Sequence, residues 1–267
     1  MAIKEKKPRR NNWENNPEYG LEFIDSPRRV RVDFAGETIA DSAHAMLMRE
    51  PGHTPVYYFL RGDVRMDLLK PTDNETHCSW KGLCSYFSIN VGGKVSENAV
   101  WSYEDPYPQF SNIKDYVSFY WDRVDHWYEE DEEIFVHPRD PYKRLDVCLS
   151  HREVCVLLGG EEVARTRNAR FAFESNHQVR YYFPKEDVRL DLMESSDTKS
   201  SCPYKGDAVY FSALVGGTLI DDVAWSYPEP ISECPQLKGL ICFFNERVDD
   251  IRVDGESIPK VETKWSR

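Results

Sequence analysis

The sequence lacks the segments that would send the chain to or through a membrane. The first ten residues are basic and contain no apolar signal-peptide core, and no stretch approaches the roughly 18 apolar residues of a membrane span. Cysteines number 7, an odd count, and only Cys78 and Cys202 occupy matching positions in the two halves of the chain. A disulfide framework would repeat with the fold. We therefore expect reduced thiols in a soluble, cytoplasmic protein without membrane contacts.

Sequence motifs for metals and common cofactors are missing as well. There is no pair of Cys-x-x-Cys motifs, no His-Glu-x-x-His, no P-loop, no dinucleotide-binding glycine fingerprint and no Gly-x-Ser-x-Gly. We therefore expect no metal and no cofactor. The formal net charge of -12 repels polyanions, which argues against a nucleic-acid partner. A small molecule is the expected ligand, bound by a chain that forms an internal pseudo-dimer and is expected to be a monomer.

The sequence contains an internal repeat. When the chain is shifted by 124 positions, long blocks coincide without a gap. The coinciding blocks are Tyr57-Tyr58-Phe59 with Tyr181-Tyr182-Phe183, Lys81-Gly82 with Lys205-Gly206, Trp101-Ser102-Tyr103 with Trp225-Ser226-Tyr227, and Arg123-Val124-Asp125 with Arg247-Val248-Asp249. Two copies are too few for a solenoid, so each copy is expected to be a complete domain, and the two are expected to be related by a pseudo-two-fold axis.

The repeat divides the chain into five segments. We expect a disordered leader over residues 1–16, a first domain over 17–125, a linker over 126–140, a second domain over 141–254 and a tail over 255–267. Each domain is long enough to bury its own core. The linker contains the acidic run Glu129–Glu133 and Pro138, and Pro141 follows directly after it, which favours a stiff connector.

Within each copy the pattern indicates a mostly β fold with very little helix. Residues 29–34 alternate charged and apolar side chains, and Val56–Leu60 and Val154–Leu158 are β-branched or aromatic runs. Gly92-Gly93 and Gly216-Gly217 each lie between apolar runs and predict tight hairpins. The only helix-like stretches are residues 42–49 and their counterpart 166–173.

The block around Cys78 holds the most chemically suggestive residues. Cys78, Lys81 and His77 would supply a nucleophile, a cation and a base within one short segment, because a nearby cation stabilises a thiolate. The alternative is structural: a small buried cysteine followed by a Lys-Gly turn. The second copy keeps the cysteine and the lysine but has Ser201 in place of His77.

Repeated aromatic residues are candidates for lining a pocket. Neighbours on a strand point to opposite faces, so one member of each cluster is expected in the core and the other in a cleft. Trp101 and Tyr103 would form the floor of such a cleft, and Tyr57 or Tyr103 would donate a proton. Core packing alone is the alternative explanation.

Two charged positions are candidates for substrate binding. Asp63 lies two residues before an arginine, which suits either a structural ion pair or a clamp for an anion. Arg49 occurs in the first copy only, since Phe173 replaces it in the second, and it would bind an anionic group.

The repeated blocks resemble a known family. Pro55 to Phe59, Thr76-His77-Cys78, Lys81-Gly82, Ala99 to Tyr103 and Phe119 to Asp125 are similar to the family catalogued as domain of unknown function 427, over nearly all of residues 17–249. The resemblance implies two tandem domains of the β-tent group, which includes methionine sulfoxide reductase B and the ligand-binding domain of cereblon. Members of that group often hold zinc through two cysteine pairs, which this sequence lacks.

Two functions from different classes fit these residues. The first is a small-molecule lyase, isomerase or hydrolase that uses acid–base chemistry, with its main pocket in the first copy. In that hypothesis His77 is the general acid or base, Tyr57 or Tyr103 a second proton donor, and Arg49 and Lys81 the anion ligands. The second is a non-catalytic module that holds a ligand or peptide in an aromatic cleft, which needs Trp101 and Tyr103 but neither His77 nor Cys78.

Overall fold

The computed structural model describes residues 10–263 and 265–266, and these divide into two compact units, Met1–Asp140 and Pro141–Arg267. Both units are built almost entirely from antiparallel strands. The helical segments among the described residues are short 3-10 turns, and the longest, Pro108–Ile113, is kinked at Phe110. The mostly β prediction is therefore confirmed.

The described part of unit 1 contains eleven strands. They are β1 (Glu22–Asp25), β2 (Val30–Phe34), β3 (Glu37–Ser42), β4 (Met46–Arg49), β5 (Val56–Leu60), β6 (Leu69–Cys78), β7 (Gly82–Val91), β8 (Lys94–Pro106), β9 (Tyr116–Phe119), β10 (His126–Glu129) and β11 (Glu132–Ile134). Its 3-10 turns are Asn12–Glu14, Arg61–Asp63, Met66–Leu68, Pro108–Ile113 and Trp121–Arg123.

The described part of unit 2 repeats this series. Its strands are β12 (Leu145–Ser150), β13 (Val154–Leu158), β14 (Glu161–Thr166), β15 (Ala169–Glu174), β16 (Arg180–Phe183), β17 (Met193–Cys202), β18 (Gly206–Val215), β19 (Thr218–Ser226), β20 (Ile241–Phe243), β21 (Asp250–Val253) and β22 (Glu256–Ser257). Its 3-10 turns are Lys185–Asp187, Leu190–Leu192 and Pro235–Leu237.

Each unit folds as a seven-stranded sheet packed on a four-stranded sheet. The orders are β1-β4-β5-β9-β8-β7-β6 and β11-β10-β2-β3 in unit 1, and β12-β15-β16-β20-β19-β18-β17 and β14-β13-β21-β22 in unit 2. The long hairpins β7–β8 and β18–β19 turn at the predicted Gly-Gly pairs, whose positive φ angles suit a tight turn.

The central strand β5 of the seven-stranded sheet of unit 1 is buried on both faces. Tyr57 and Phe59 of β5 point inward and pack with Val32 of β2 between the two sheets. Tyr58, between them, points to the outer face and packs with Tyr103 of β8. The outer face therefore carries a second apolar cluster, and that face holds the candidate site.

Two helix predictions are wrong. Residues 42–49 end strand β3 and form β4, and residues 166–173 end β14 and form most of β15. Leu47 packs between the sheets whereas Met48 packs on the outer face. A strand that is buried on both faces does not alternate between polar and apolar residues. Its short apolar run therefore cannot be distinguished by periodicity from a segment of a buried helix.

The predicted segment boundaries also need correction. Residues 126–134 are not a linker, because they form β10 and β11, and β10 pairs with β2. Trp127 is only 3% exposed and fills the core between the sheets, which explains why this segment folds with unit 1. The acidic residues that suggested a solvated connector belong to the β10–β11 hairpin and its turn.

Described parts of the predicted leader and tail are likewise incorporated into the fold. Within the predicted disordered leader, Asn12–Glu14 form a 3-10 turn whose Trp13 is buried on the outer face of unit 1; residues 1–9 of that leader lie outside the described residues. Within the predicted tail, β22 pairs with β21 and Trp265 packs on the outer face of unit 2.

All seven cysteines are free thiols, as expected from their spacing. No helix in the described part of the chain is both long and apolar enough to cross a membrane.

Candidate functional site

A cavity of about 230 Å³ opens on the outer face of the seven-stranded sheet of unit 1. It lies over β4, β5, β7 and β8, whose outward side chains form the walls. The lining residues are Met48, Glu50, His53, Thr54, Val56, Tyr58, Lys81, Cys84, Tyr86, Trp101, Tyr103 and Tyr120. Of the predicted site residues, Lys81, Trp101 and Tyr103 are brought together here.

Five of the twelve lining residues carry tyrosine or tryptophan rings, and four of these rings contact one another. The ring centroids of Trp101 and Tyr120 are 4.6 Å apart, with an angle of 51° between the ring planes. The ring of Tyr86 lies nearly parallel to that of Tyr120, with 6.4 Å between their centroids. Trp101 Nε1 donates a hydrogen bond of 2.9 Å to the hydroxyl of Tyr58. The wall is therefore preorganised rather than assembled by a ligand.

Three tyrosine hydroxyls in this wall, those of Tyr58, Tyr86 and Tyr103, stay protonated at neutral pH. Burial raises the pKa of Tyr58, Tyr86 and Tyr103 well above the ordinary value for tyrosine. The Tyr86 hydroxyl also shares a hydrogen bond of 2.8 Å with Thr76. These groups can orient a polar ligand as neutral hydroxyls, and none of them is poised to act as a phenolate.

A buried ion pair borders the cavity. Lys81 Nζ lies 2.6 Å from Glu50 Oε2, with side chains only 7% and 13% exposed, and 5.9 Å from the ring centre of Tyr103. The hydroxyl of Tyr19 also reaches Glu50, at 3.4 Å. The cation and the carboxylate satisfy each other, so the pair adds polar atoms but no net charge to the cavity.

The turn after β6 places Lys81. Gly82 has φ +104°, and a Cβ there would lie 3.1 Å from the carbonyl oxygen of Asp105. Only glycine combines that backbone conformation with so close an approach. The repeated Lys-Gly pair is therefore a backbone requirement that directs the lysine side chain towards Glu50.

His77 and Cys78 lie beside the cavity and do not line it. His77 Nε2 is 2.7 Å from the hydroxyl of Tyr107. Cys78 is partly buried and packs against the outer aromatic cluster. The thiol that does line the cavity is that of Cys84, whose pKa is raised by burial. It is therefore mostly protonated at neutral pH.

The other three predicted site residues lie away from the cavity. Tyr57 is buried towards the core, with its hydroxyl 2.7 Å from a Glu129 oxygen, and burial raises its pKa. Arg49 forms ion pairs with Glu22 and with Asp140, the latter at 2.9 Å. Asp63 accepts a hydrogen bond of 2.6 Å from Ser42 Oγ. The structure gives each of them a partner that ties segments of unit 1 together.

Several cavity residues were not anticipated from the sequence, above all Glu50, Tyr58 and Tyr86. The repeat contained a signal for them, since Glu174, Tyr182 and Tyr210 occupy the same positions in the second copy. His53 and His177 are another repeated pair. In the structure, alternation along the strands places Tyr58 and Tyr86 on the outer face together with Trp101.

Unit 2 reproduces the framework of this site. Lys205 pairs with Glu174, which also pairs with Lys143 at 2.5 Å. The counterparts of Trp101 and Tyr120 are Trp225 and Phe244. Their ring centroids are 4.3 Å apart, with an angle of 46° between the ring planes. The arrangement is therefore a property of the repeated domain.

No cluster of three or more potential metal ligands occurs among residues 10–263 and 265–266.

The comparison with known families matches both copies. The model described as Domain of unknown function (DUF427) matches residues 22–130 and again residues 146–254, and each match spans both sheets of one unit. No curated protein matches the chain. The two family matches together cover more than half of the sequence, and their starts are separated by the same shift that superposes the repeated blocks. The chain therefore belongs to the DUF427 family and carries two copies of its domain.

Proposed function

We propose that the first unit binds a small metabolite in the cavity on the outer face of its seven-stranded sheet. The observation that supports this most directly is a preformed aromatic cavity with a buried Lys81–Glu50 pair at its edge. Ligand sites are typically concave, mostly apolar and furnished with a few fixed polar groups. This cavity is concave, is lined by five aromatic rings and has fixed polar groups at its edge.

The size of the cavity indicates the size of the ligand. At about 230 Å³ it is smaller than the roughly 300–1,000 Å³ of pockets for drug-sized compounds. The rings of Trp101, Tyr103 and Tyr120 suit a planar or apolar group, whereas the tyrosine hydroxyls and Thr54 suit polar ends. A compact polar metabolite fits this combination better than a peptide or a nucleotide.

A thermal-shift screen of the full chain against a metabolite library tests this proposal. A ligand that binds the folded state raises the melting temperature by mass action. We expect a hit in the wild type that is lost in Trp101→Ala and retained in Trp225→Ala, the matched variant of unit 2. A hit retained by Trp101→Ala, or a complete absence of hits, would contradict the proposal.

Acid–base catalysis by a lyase, isomerase or hydrolase is the second candidate. The observation that favours it is the position of Glu50, Lys81 and His53 on the cavity wall, within reach of a bound molecule. His77, the base expected from sequence, does not line the cavity, and its Nε2 is hydrogen-bonded to the hydroxyl of Tyr107. Catalysis therefore centres on the ion pair in this version of the proposal.

Turnover of the screened hits separates the two candidates. An enzyme should convert a hit, and Glu50→Gln should abolish conversion while binding persists. A pure binding module should show unchanged ligand in long incubations with the wild type. His77→Ala, assayed alongside, distinguishes a catalytic role for that histidine from a structural one.

We also propose a cytoplasmic location, supported by the seven free thiols. Subcellular fractionation with thiol labelling tests this, because a secreted pool with blocked thiols would contradict it.

A further inference from the structure

The second unit fills its own aromatic site with a cation. The guanidinium carbon of Arg180 lies 5.5 Å from the ring centre of Trp225 and 5.7 Å from that of Phe244. The ring centre of Trp265 also lies 5.5 Å from this guanidinium carbon. These are cation–π distances, and the arginine is almost completely buried.

Arg180 occupies the place that corresponds to the open cavity of unit 1. Its counterpart in the repeat is Val56, which lines that cavity, and its ring partners correspond to Trp101 and Tyr120, which line it too. The two ring pairs have nearly the same geometry. Their centroids are 4.6 Å apart in unit 1 and 4.3 Å apart in unit 2, and the angles between the ring planes are 51° and 46°. Valine is too short to reach over the rings. The same framework is thus filled in one unit and open in the other.

We infer that the ligand of the first unit carries a small guanidinium group, which takes the place that Arg180 takes in the second. This inference rests on the proposed ligand-binding function of the cavity. It specifies the chemical class of the ligand: a planar organic cation that stacks on Trp101 and Tyr120, as guanidinium groups do on aromatic faces.

The existing charges around the site are compatible with a further cation. Lys81 is neutralised by Glu50 at 2.6 Å. The guanidinium carbon of Arg123 lies 4.5 Å from the ring centre of Tyr120. In unit 2, its counterpart Arg247 lies 4.2 Å from the ring centre of Phe244, and Arg180 contacts that same ring. Two guanidinium groups therefore share one ring in unit 2, and unit 1 can accommodate the same arrangement.

The repeat also places a carboxylate at the position in unit 1 that corresponds to the partner of Arg180. In unit 2, Arg180 donates hydrogen bonds of 2.8 Å to both carboxylate oxygens of Glu246. The counterpart of Glu246 is Asp122, which is exposed and has no ion-pair partner among the described residues. The net charge of -12 additionally attracts cations at long range.

Isothermal titration of the full chain with three small probes of similar size tests the inference. The probes are ethylguanidinium, neutral ethylurea and anionic propionate. We expect ethylguanidinium to bind at least about tenfold more tightly than ethylurea, with propionate weakest. Val56→Arg should abolish ethylguanidinium binding by placing the chain's own cation over the rings.

Two further variants protect the test against misfolding of Val56→Arg. Asp122→Asn alters an exposed side chain and should weaken ethylguanidinium binding several-fold while leaving ethylurea unchanged. Glu186→Gln removes the same charge from an exposed position in unit 2 and should leave both unchanged, which separates the local carboxylate from net charge.

The results separate this inference from the proposed function. Equal or tighter binding of ethylurea or propionate, lost in Trp101→Ala, would overturn the cationic ligand and leave the ligand-binding cavity standing. Absence of binding by all three probes would overturn the inference, and the metabolite screen would then decide the proposed function. Ethylguanidinium binding that survives Val56→Arg in a folded protein would also overturn the inference.

Discussion

At the scale of single residues, the Lys81–Glu50 pair is the most consequential contact in the candidate site. Both side chains are largely removed from water, so each charge depends on the other. We expect Lys81→Met to lower the free energy of unfolding by about 3 kcal/mol, because it leaves a buried carboxylate without its cation. Urea denaturation of the full chain measures this.

Unit 2 supplies the control for that prediction. Glu174 is paired with Lys205 and also with Lys143 at 2.5 Å, so Lys205→Met leaves one cation in place. Its cost should be clearly smaller than that of Lys81→Met. Equal losses for the two variants would show that the lysines stabilise through packing and not through charge.

The sequence predicted part of the site for a definite physical reason. Lys81, Trp101 and Tyr103 stood out because their residue types repeat in both copies. Tyr57 is the predicted site residue, but its neighbour Tyr58 lines the cavity instead. Alternation along a strand predicts that the two side chains face opposite sides of the sheet, and it does not identify which side faces the core. The four-stranded sheet decides this by covering the face of Tyr57.

At the scale of elements, β4 and β10 show where reasoning from pattern fails. The signal of a strand is alternation, and β4 lacks it because both faces of its sheet are buried. Strand β10 was not predicted because acidic residues follow it and indicate a solvated linker, although its Trp127 is a core residue. The predicted strand at residues 29–34 matches β2 to within one residue, and the β7–β8 hairpin turns at the predicted Gly92-Gly93.

Trp127 should anchor the β10–β11 hairpin to unit 1. We expect Trp127→Ala to cost about 3–5 kcal/mol, since it leaves a large cavity between the sheets. Trp127→Phe should cost much less, because Trp127 Nε1 has no hydrogen-bond partner among the described residues. Chemical denaturation compares the two. Similar losses would mean that the indole N–H contributes through a contact that the packing does not reveal.

The ion pair that holds Arg180 should make the second unit sensitive to acid. Burial opposes ionisation of Glu246, but hydrogen bonds from Arg180 and its own backbone outweigh this and lower its pKa from 4.5 to about 2. The side chain of Glu246 is 0% exposed. A depressed folded pKa contributes stability that is complete above pH 4.5 and is lost as the pH falls towards 2.

The loss attributable to Glu246 should reach roughly 3 kcal/mol at the acid end. Denaturation curves of the wild type and of Arg180→Met/Glu246→Leu, recorded from pH 7 to pH 2.5, isolate it. The wild type should lose more stability below pH 4.5 than the double variant. Parallel curves would contradict the assignment, since both proteins retain every other carboxylate.

At the scale of the whole molecule, duplication has produced two units with one framework and different contents. Unit 1 leaves its aromatic site open as a cavity, whereas unit 2 places Arg180 and Trp265 over the corresponding rings. The sequence predicted the duplication and favoured the first copy as the functional one. It could not predict the filling of the second site, because nothing in the sequence shows that the side chain of Arg180 turns over Trp225.

The stoichiometry of binding tests the central claim most directly. Calorimetry with the tightest ligand from the metabolite screen counts the sites per chain in the wild type and in Val56→Arg. An open site in unit 1 alone predicts one site in the wild type and none in the variant. Two sites in the wild type, or one site that survives Val56→Arg, would contradict the account.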